Sequence, residues 1–163
     1  MVRKALLSDV ESIHQIVEAF ARRGIMLHRS ASDICATLRD FFVYEEGGKI
    51  LGTCALHIAS PEMGEVRSLA VRSGHTGRGI GTKLVTACLE EAVELGLRRV
   101  FALTYKPGFF KKLRFKCISK EVLPHKIWGD CIKCVKFPNC DEIAVIIELA
   151  EGPRERGQRE GIS

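Results

Sequence analysis

The sequence predicts an α/β (α+β) fold, a central mixed and mostly antiparallel sheet flanked by helices. Three observations carry this. Strand patterns on either side of Gly47-Gly48, followed by a third after Pro61, make an antiparallel meander. The third strand runs into a glycine-rich loop, Arg72-Ser-Gly-His-Thr-Gly-Arg-Gly-Ile-Gly81, and that loop opens an amphipathic helix. The helix leads to a further apolar strand, Arg99 to Thr104, which a helical crossover makes parallel to the strand before it.

In chain order, Val2 to Leu6 is a short opening strand. Ser8 and Asp9 offer helix caps, and Ile13, Ile16, Val17 and Phe20 then repeat at helical spacing. His14 lies off that stripe, on a solvated face. Arg22 and Arg23 fill the last turn, and Gly24 caps it. After the linker Ile25 to Arg29, Ser30 opens a second helix with Asp33 three residues on, and that helix ends near Arg39. The meander follows as Phe41 to Glu46, Ile50 to Ala59 and Met63 to Val71. The central helix spans roughly Gly79 to Leu95, with Ile80, Leu84, Ala87, Cys88, Ala92 and Leu95 as its buried stripe. Pro107 starts a short helix, Phe115 to Ser119 reads as a strand, and Ile143 to Leu149 is the last one. Lys120 to Cys140 is broken by Pro124, Gly129 and Pro138.

Composition narrows the classes. The chain has 163 residues, 46% apolar and 28% charged, which suits one globular domain over residues 1–150. Residues 151–163 form a charged tail with almost no apolar residue, expected to be disordered. No apolar run approaches the roughly 20 residues that span a bilayer, and the N-terminal apolar stretch is too short for a secretory signal. A cytoplasmic protein with no membrane partner is expected. The net charge of +5 suits an anionic small ligand at least as well as nucleic acid. No basic stripe is interleaved with aromatics, so no nucleic-acid partner is expected. Cys35, Cys54, Cys88 and Cys117 are scattered in apolar surroundings as small hydrophobes. Cys131, Cys134 and Cys140 cluster, with His125 upstream. They can make a Cys3His zinc site, three reduced thiols in a substrate-covering loop, or a redox switch.

The glycine loop is the stretch with the most chemistry. Gly77, Gly79 and Gly81 leave the backbone uncovered, and their N–H groups can converge on an anion at the helix start. A tight turn that only packs a helix on a sheet would use the same glycines.

The element order, with Leu69-Ala-Val71 followed by Thr-Gly-Arg-Gly-Ile-Gly81, resembles the GNAT superfamily of N-acetyltransferases over about residues 2 to 149. The resemblance implies a GNAT domain over 1–150 with acetyl-CoA as cosubstrate. Backbone at Leu69, Ala70 and Val71 would hold the pantetheine arm. Thr76, Gly77, Arg78, Gly79, Ile80, Gly81 and Thr82 would hold the pyrophosphate. Three positions depart from the family pattern. Thr76 stands where Arg or Gln is usual, leaving Arg78 or His75 to supply side-chain help. Phe110 stands where a tyrosine usually protonates the leaving thiolate, and Arg114 where glycine is usual. Thr104 and Tyr105 are the nearest alternative hydroxyls.

More specifically, the chain resembles short single-domain bacterial N-acetylglutamate synthases. The stretches that carry this are Gly24 to Ser30, Gly52 to Leu56, Glu65 to Val71, Val100 to Tyr105, and Leu123-Pro-His-Lys-Ile-Trp128 with the cysteine cluster. The resemblance implies acetylation of the α-amine of glutamate, at the head of arginine synthesis. Family position makes Glu65 the base, directly or through a water; the alternative is a strand-end carboxylate paired with Arg67 or a nearby lysine. Arg29, with Leu27 in the same linker, would meet a substrate carboxylate, which an arginine fork takes bidentately. Lys126 and His125 could meet the second carboxylate, and His125 could equally be structural. Ser68 faces either the substrate or the opposite side of the sheet. The expected partner is a small amino acid, and a homodimer is compatible with everything above.

Overall fold

The computed structural model describes residues 1–123 and 142–150. Its strands are β1 (Val2–Lys4), β2 (Phe41–Glu46), β3 (Lys49–Ile58), β4 (Met63–Val71), β5 (Arg99–Thr104), β6 (Lys116–Ile118) and β7 (Ile143–Glu148). They form one mixed sheet in the order β1-β2-β3-β4-β5-β7-β6. The helices are α1 (Val10–Arg22), α2 (Ala31–Ala36), α3 (Ile80–Leu95) and α4 (Pro107–Lys112). β4 and β5 are parallel, pairing Met63 with Arg99 and Glu65 with Phe101, as a helical crossover requires. β1 with β2, β2 with β3, and β7 with both β5 and β6 pair antiparallel. Among the described residues no helix is long and apolar enough to cross a membrane.

The chain forms two compact units. The first holds Met1–His57 and Val66–Cys88. Its core gathers Ile13, Ile16 and Val17 of α1 with Ile34 of α2 and Phe41, Val43, Ile50, Ala55 and Ala70 of the strands. Gly24, at φ +72°, ends α1 in the left-handed conformation that glycine adopts without a Cβ penalty. Ser30 caps α2, its Oγ accepting from the Asp33 N–H at 3.0 Å. That helix is shorter than its sequence pattern suggests. Thr37 bonds back from Oγ1 to the Asp33 carbonyl at 2.8 Å, and a 3-10 turn takes over at Leu38–Asp40.

The second unit holds Ile58–Glu65 and the described residues from Leu89 onward. Ala59, Met63, Phe101, Leu123 and Ala144 form its core. The stripe on α3 differs from expectation at two positions, Ala87, which is only half-buried, and Leu95. Leu95 is 52% exposed because it is the last residue of the helix, where burial gives out, whereas Val85 is fully buried.

Candidate active site

β4 alternates buried and half-buried positions up to Val71. Ser68 breaks its extended backbone with φ +56°. A left-handed residue cannot continue a regular ladder, so the peptide groups next to it turn out of line and can meet a ligand amide. Ser68 itself is buried at 8% exposure, which favours its facing the protein interior over an open surface. Leu69 and Val71 are half-buried, and Ala70 belongs to the core of the first unit.

The loop leaves β4 on two anchors to β3. The Arg72 N–H donates to the Leu51 carbonyl at 2.8 Å, and Arg72 Nε donates to the Ile50 carbonyl at 2.8 Å. Gly77 and Gly79 sit at φ +77° and +79°, and a Cβ at either would meet nothing within 4 Å. Conformation, not packing, requires these two glycines. The first bond of α3 runs from the Lys83 N–H to the Gly79 carbonyl. By helix geometry the preceding amides, from Ile80 to Thr82, have no partner within the helix, and they carry the positive end of its dipole. Ile80 is buried, Gly81 half-buried, and Thr76, Gly77, Arg78, Gly79 and Thr82 are exposed. The seat of the helix is set from below. A Cβ on Gly52 would stand 3.1 Å from both Ile80 Cγ2 and Leu84 Cδ1 and 3.2 Å from the Ala70 carbonyl oxygen. Only glycine lets β3 and the first turn of α3 approach this closely.

Arg78 is engaged by a residue the sequence does not single out. Its Nη2 donates to both carboxylate oxygens of Glu46, at 2.8 and 2.9 Å, and its Nη1 to His75 Nδ1 at 2.9 Å. The Arg78 hydrogen bond holds the Glu46 carboxyl below its ordinary range, and Glu46 in turn raises the guanidinium. Because an arginine N–H can only donate, His75 Nδ1 must accept, which places the imidazole proton on Nε2. Glu46 lies 32 residues from Arg78 and ends β2, so no local signal pairs them.

In the α1–α2 linker, Leu27 and Arg29 are half-buried. His28 ties this segment to α1: its Nδ1 lies 2.9 Å from Glu18 Oε2, and that contact lowers the Glu18 carboxyl.

In the second unit, Glu65 is half-buried on the rung of β4 opposite Phe101. Thr104 closes β5, where its Oγ1 accepts from the Lys106 N–H at 2.8 Å. Tyr105 follows, half-buried with its hydroxyl oxygen out of solvent. Phe110 is buried and edge-packed between Phe109 and Phe115, with ring centroids 5.1 and 5.0 Å away. α4 ends in a Schellman motif. The Phe115 N–H donates to the Phe110 carbonyl, the Arg114 N–H to that of Lys111, and Arg114 takes φ +73°. That conformation accounts for glycine being usual at this position in the resembled family.

His125, Lys126, Cys131, Cys134 and Cys140, and the tail at 151–163, lie outside the described residues. Among the described residues no group of three or more His, Cys, Asp or Glu side chains is gathered to hold a metal.

Comparison with known proteins agrees with this arrangement. The model of the acetyltransferase (GNAT) family matches residues 11–115. An uncharacterized N-acetyltransferase of Chlorobaculum tepidum is 43% identical over 148 residues, 91% of this chain and 96% of that protein. An amino-acid acetyltransferase of Mycobacterium tuberculosis is 37% identical over 80% of this chain and 76% of its own length. Among solved structures, N-acetylglutamate synthase from Neisseria gonorrhoeae, complexed with coenzyme A and N-acetyl-glutamate, superposes with a TM-score of 0.84 at 25% identity. That match covers 93% of this chain and 35% of the other.

Proposed function

This chain belongs to the acetyltransferase (GNAT) family, and we propose that it transfers the acetyl group of acetyl-CoA to the α-amine of L-glutamate. The transfer is direct, within a ternary complex. The observation that carries the reading is the backbone at the start of α3. Two glycines at positive φ, with open space beside them, precede first-turn helix amides that have no partner within the helix and suit an anion. This is a pyrophosphate cradle built from backbone, so the threonine at position 76 does not impair it. The peptide groups of Leu69, Ala70 and Val71, next to the break at Ser68, hold the pantetheine arm.

The chemistry needs a neutral amine, a polarised thioester and a proton for the leaving thiolate. Glu65 takes the ammonium proton, directly or through a water. The amine then attacks the thioester carbonyl; the C–N bond forms, the C–S bond breaks, and the thiolate is protonated. Phe110 has no proton to give. Of the two nearby hydroxyls, Tyr105 is the better donor, because a phenol titrates near 10 whereas an aliphatic hydroxyl is far less acidic. Thr104 Oγ1 accepts from the Lys106 N–H, which holds the hydroxyl at the end of β5 but leaves its own proton unused. Arg29 and Leu27 on the α1–α2 linker, with Lys126, bind the acceptor, and the two cations meet its two carboxylates; the buried Ser68 serves by turning the β4 backbone. A zinc at Cys131, Cys134, Cys140 and His125 takes no part in these steps; metal analysis of the full chain decides between it and reduced thiols.

The test is a screen of the twenty amino acids with acetyl-CoA, read as release of CoA thiol. Glutamate is expected to give the highest kcat/KM. Turnover with glutamine or a peptide N-terminus but not with glutamate would move the acceptor within the family. Thiol release with no amino acid at all would sink the reading. The missing hydroxyl of Phe110 favours one second reading, a non-catalytic acetyl-CoA or redox sensor. Tight acetyl-CoA binding by calorimetry, with no turnover of any acceptor, would establish it.

A further inference from the structure

We propose that Glu46 is a counter-anion that holds Arg78 away from the phosphate cradle and releases it to the phosphates of an incoming CoA. This rests on the reading of the glycine loop as a CoA site. Arg78 lies between Gly77 and Gly79, whose positive φ angles fix the loop backbone. The guanidinium is therefore tethered to the cradle whatever its side chain does. In the structure the guanidinium is engaged by side chains: Nη2 donates to both oxygens of Glu46 and Nη1 to His75 Nδ1. A phosphate that recruits this fork must compete with a carboxylate for it.

The competition is winnable. The Arg78 and Glu46 side chains are 43% and 45% exposed, and exposed ion pairs are weak and screened by salt. A pyrophosphate can reach the arginine and displace one carboxylate, because its two phosphates together carry more charge and the helix start adds its own field. When Arg78 leaves, Glu46 remains as a negative charge beside the anion, so its effect on affinity is wholly unfavourable. Release of Arg78 also frees His75 Nδ1, the acceptor of its Nη1 bond. Lys83, with Nζ 5.8 Å from the Tyr44 ring centroid, adds a cation on the first turn of α3. Glu46 is thus the acidic residue that sets how tightly an otherwise basic loop holds its ligand.

The test titrates the full chain by calorimetry at fixed ionic strength, with CoA and with pantetheine, which lacks the phosphates. Glu46→Gln is expected to tighten CoA about three- to tenfold, from loss of the competing pair and of the residual repulsion. Pantetheine should be unaffected. Arg78→Gln should weaken CoA and should cut the effect of Glu46→Gln to less than about twofold, the signature of coupled residues. Both side chains are exposed, so the variants fold, and their unfolding transitions serve as the control. Unchanged or weaker CoA binding in Glu46→Gln overturns the proposal, because Glu46 would then be positioning Arg78 productively. Equal tightening of pantetheine, or tightening that survives Arg78→Gln, overturns it too. A wild-type chain that binds no CoA at all removes the underlying reading, an outcome distinct from a CoA-binding chain indifferent to Glu46.

Discussion

Gly52→Ala tests whether packing beneath the glycine loop, as well as the loop itself, builds the cradle. The added methyl would stand 3.1 Å from Ile80 Cγ2 and Leu84 Cδ1 and 3.2 Å from the Ala70 carbonyl oxygen. Ordinary van der Waals separations are about 3.5 to 4 Å, so each neighbour must give by a few tenths of an ångström. Leu84 can turn a rotamer, but Ile80 is stiff at χ1 and the Ala70 oxygen belongs to a strand. The strain falls on the first turn of α3. Overpacking of one methyl into such a site costs about 1–2 kcal/mol, or roughly 3–7 °C in Tm for a chain of this size. Because Ile80 is also part of the proposed cradle, CoA affinity should fall several-fold along with Tm. Circular dichroism melting and calorimetric titration with CoA read the two effects. A variant that melts like wild type and binds CoA equally well would refute the reasoning, since the helix start would then have room it does not show.

Arg114→Gly should raise stability by about 0.5–1 kcal/mol, seen as a higher Tm, because it relieves a non-glycine residue at φ +73°. Asp9→Asn should destabilise the fold by about 1–3 kcal/mol at neutral pH. Asp9 accepts from Arg3 at 2.7 and 3.0 Å and from the Leu6 N–H at 2.8 Å. Its carboxyl is held below the ordinary value, chiefly by the Arg3 hydrogen bond, so its contribution is complete above about pH 5. It is lost as pH falls through the lowered folded value, and the wild-type and Asp9→Asn melting curves should converge there. Cys35 and Cys117 are exposed and should be alkylated in the native chain, as peptide mapping by mass spectrometry would show. Cys54 and Cys88, fully buried with their sulfurs 3.6 Å apart, should label only on unfolding, since the neighbouring thiol and burial push the Cys54 thiol up.

Most of the element order is legible in the sequence because its signals are local. The Gly47-Gly48 hairpin, the alternation in β4, the Ser30 cap and the four-residue spacing of Ile80, Leu84, Cys88 and Ala92 each act within one or two turns of chain. Where local signals compete, boundaries shift. The second helix stops at Ala36, since the Thr37 hydroxyl bonds back to Asp33, and Leu95 stays exposed although it fits the stripe. The site is legible in part. Backbone requirements write themselves as glycines at 77 and 79, but a left-handed serine at position 68 carries no such mark. The partners of charged groups are the least legible. Glu46 with Arg78 and Asp40 with His57 join residues 32 and 17 apart, which no periodicity links.

The short helix α4 shows how far fold and chemistry can part. Two positions at which the resembled family places a functional residue and a conformational one are both changed here, to Phe110 and Arg114. The conformational role survives: Arg114 still takes the left-handed angle, and both Schellman bonds form. What holds it there is packing. Phe110 and Phe115 stack edge to face across the turn, and that apolar contact offsets the backbone cost of a Cβ at φ +73°. A tyrosine at 110 would have to bring its hydroxyl out of this aromatic cluster or find it a partner, since a buried phenol without one is costly. The packing that keeps the helix in shape therefore excludes the usual proton donor from its usual place. For the proposed transfer the proton must come from elsewhere. The donor proposed above is Tyr105, two residues before the helix begins.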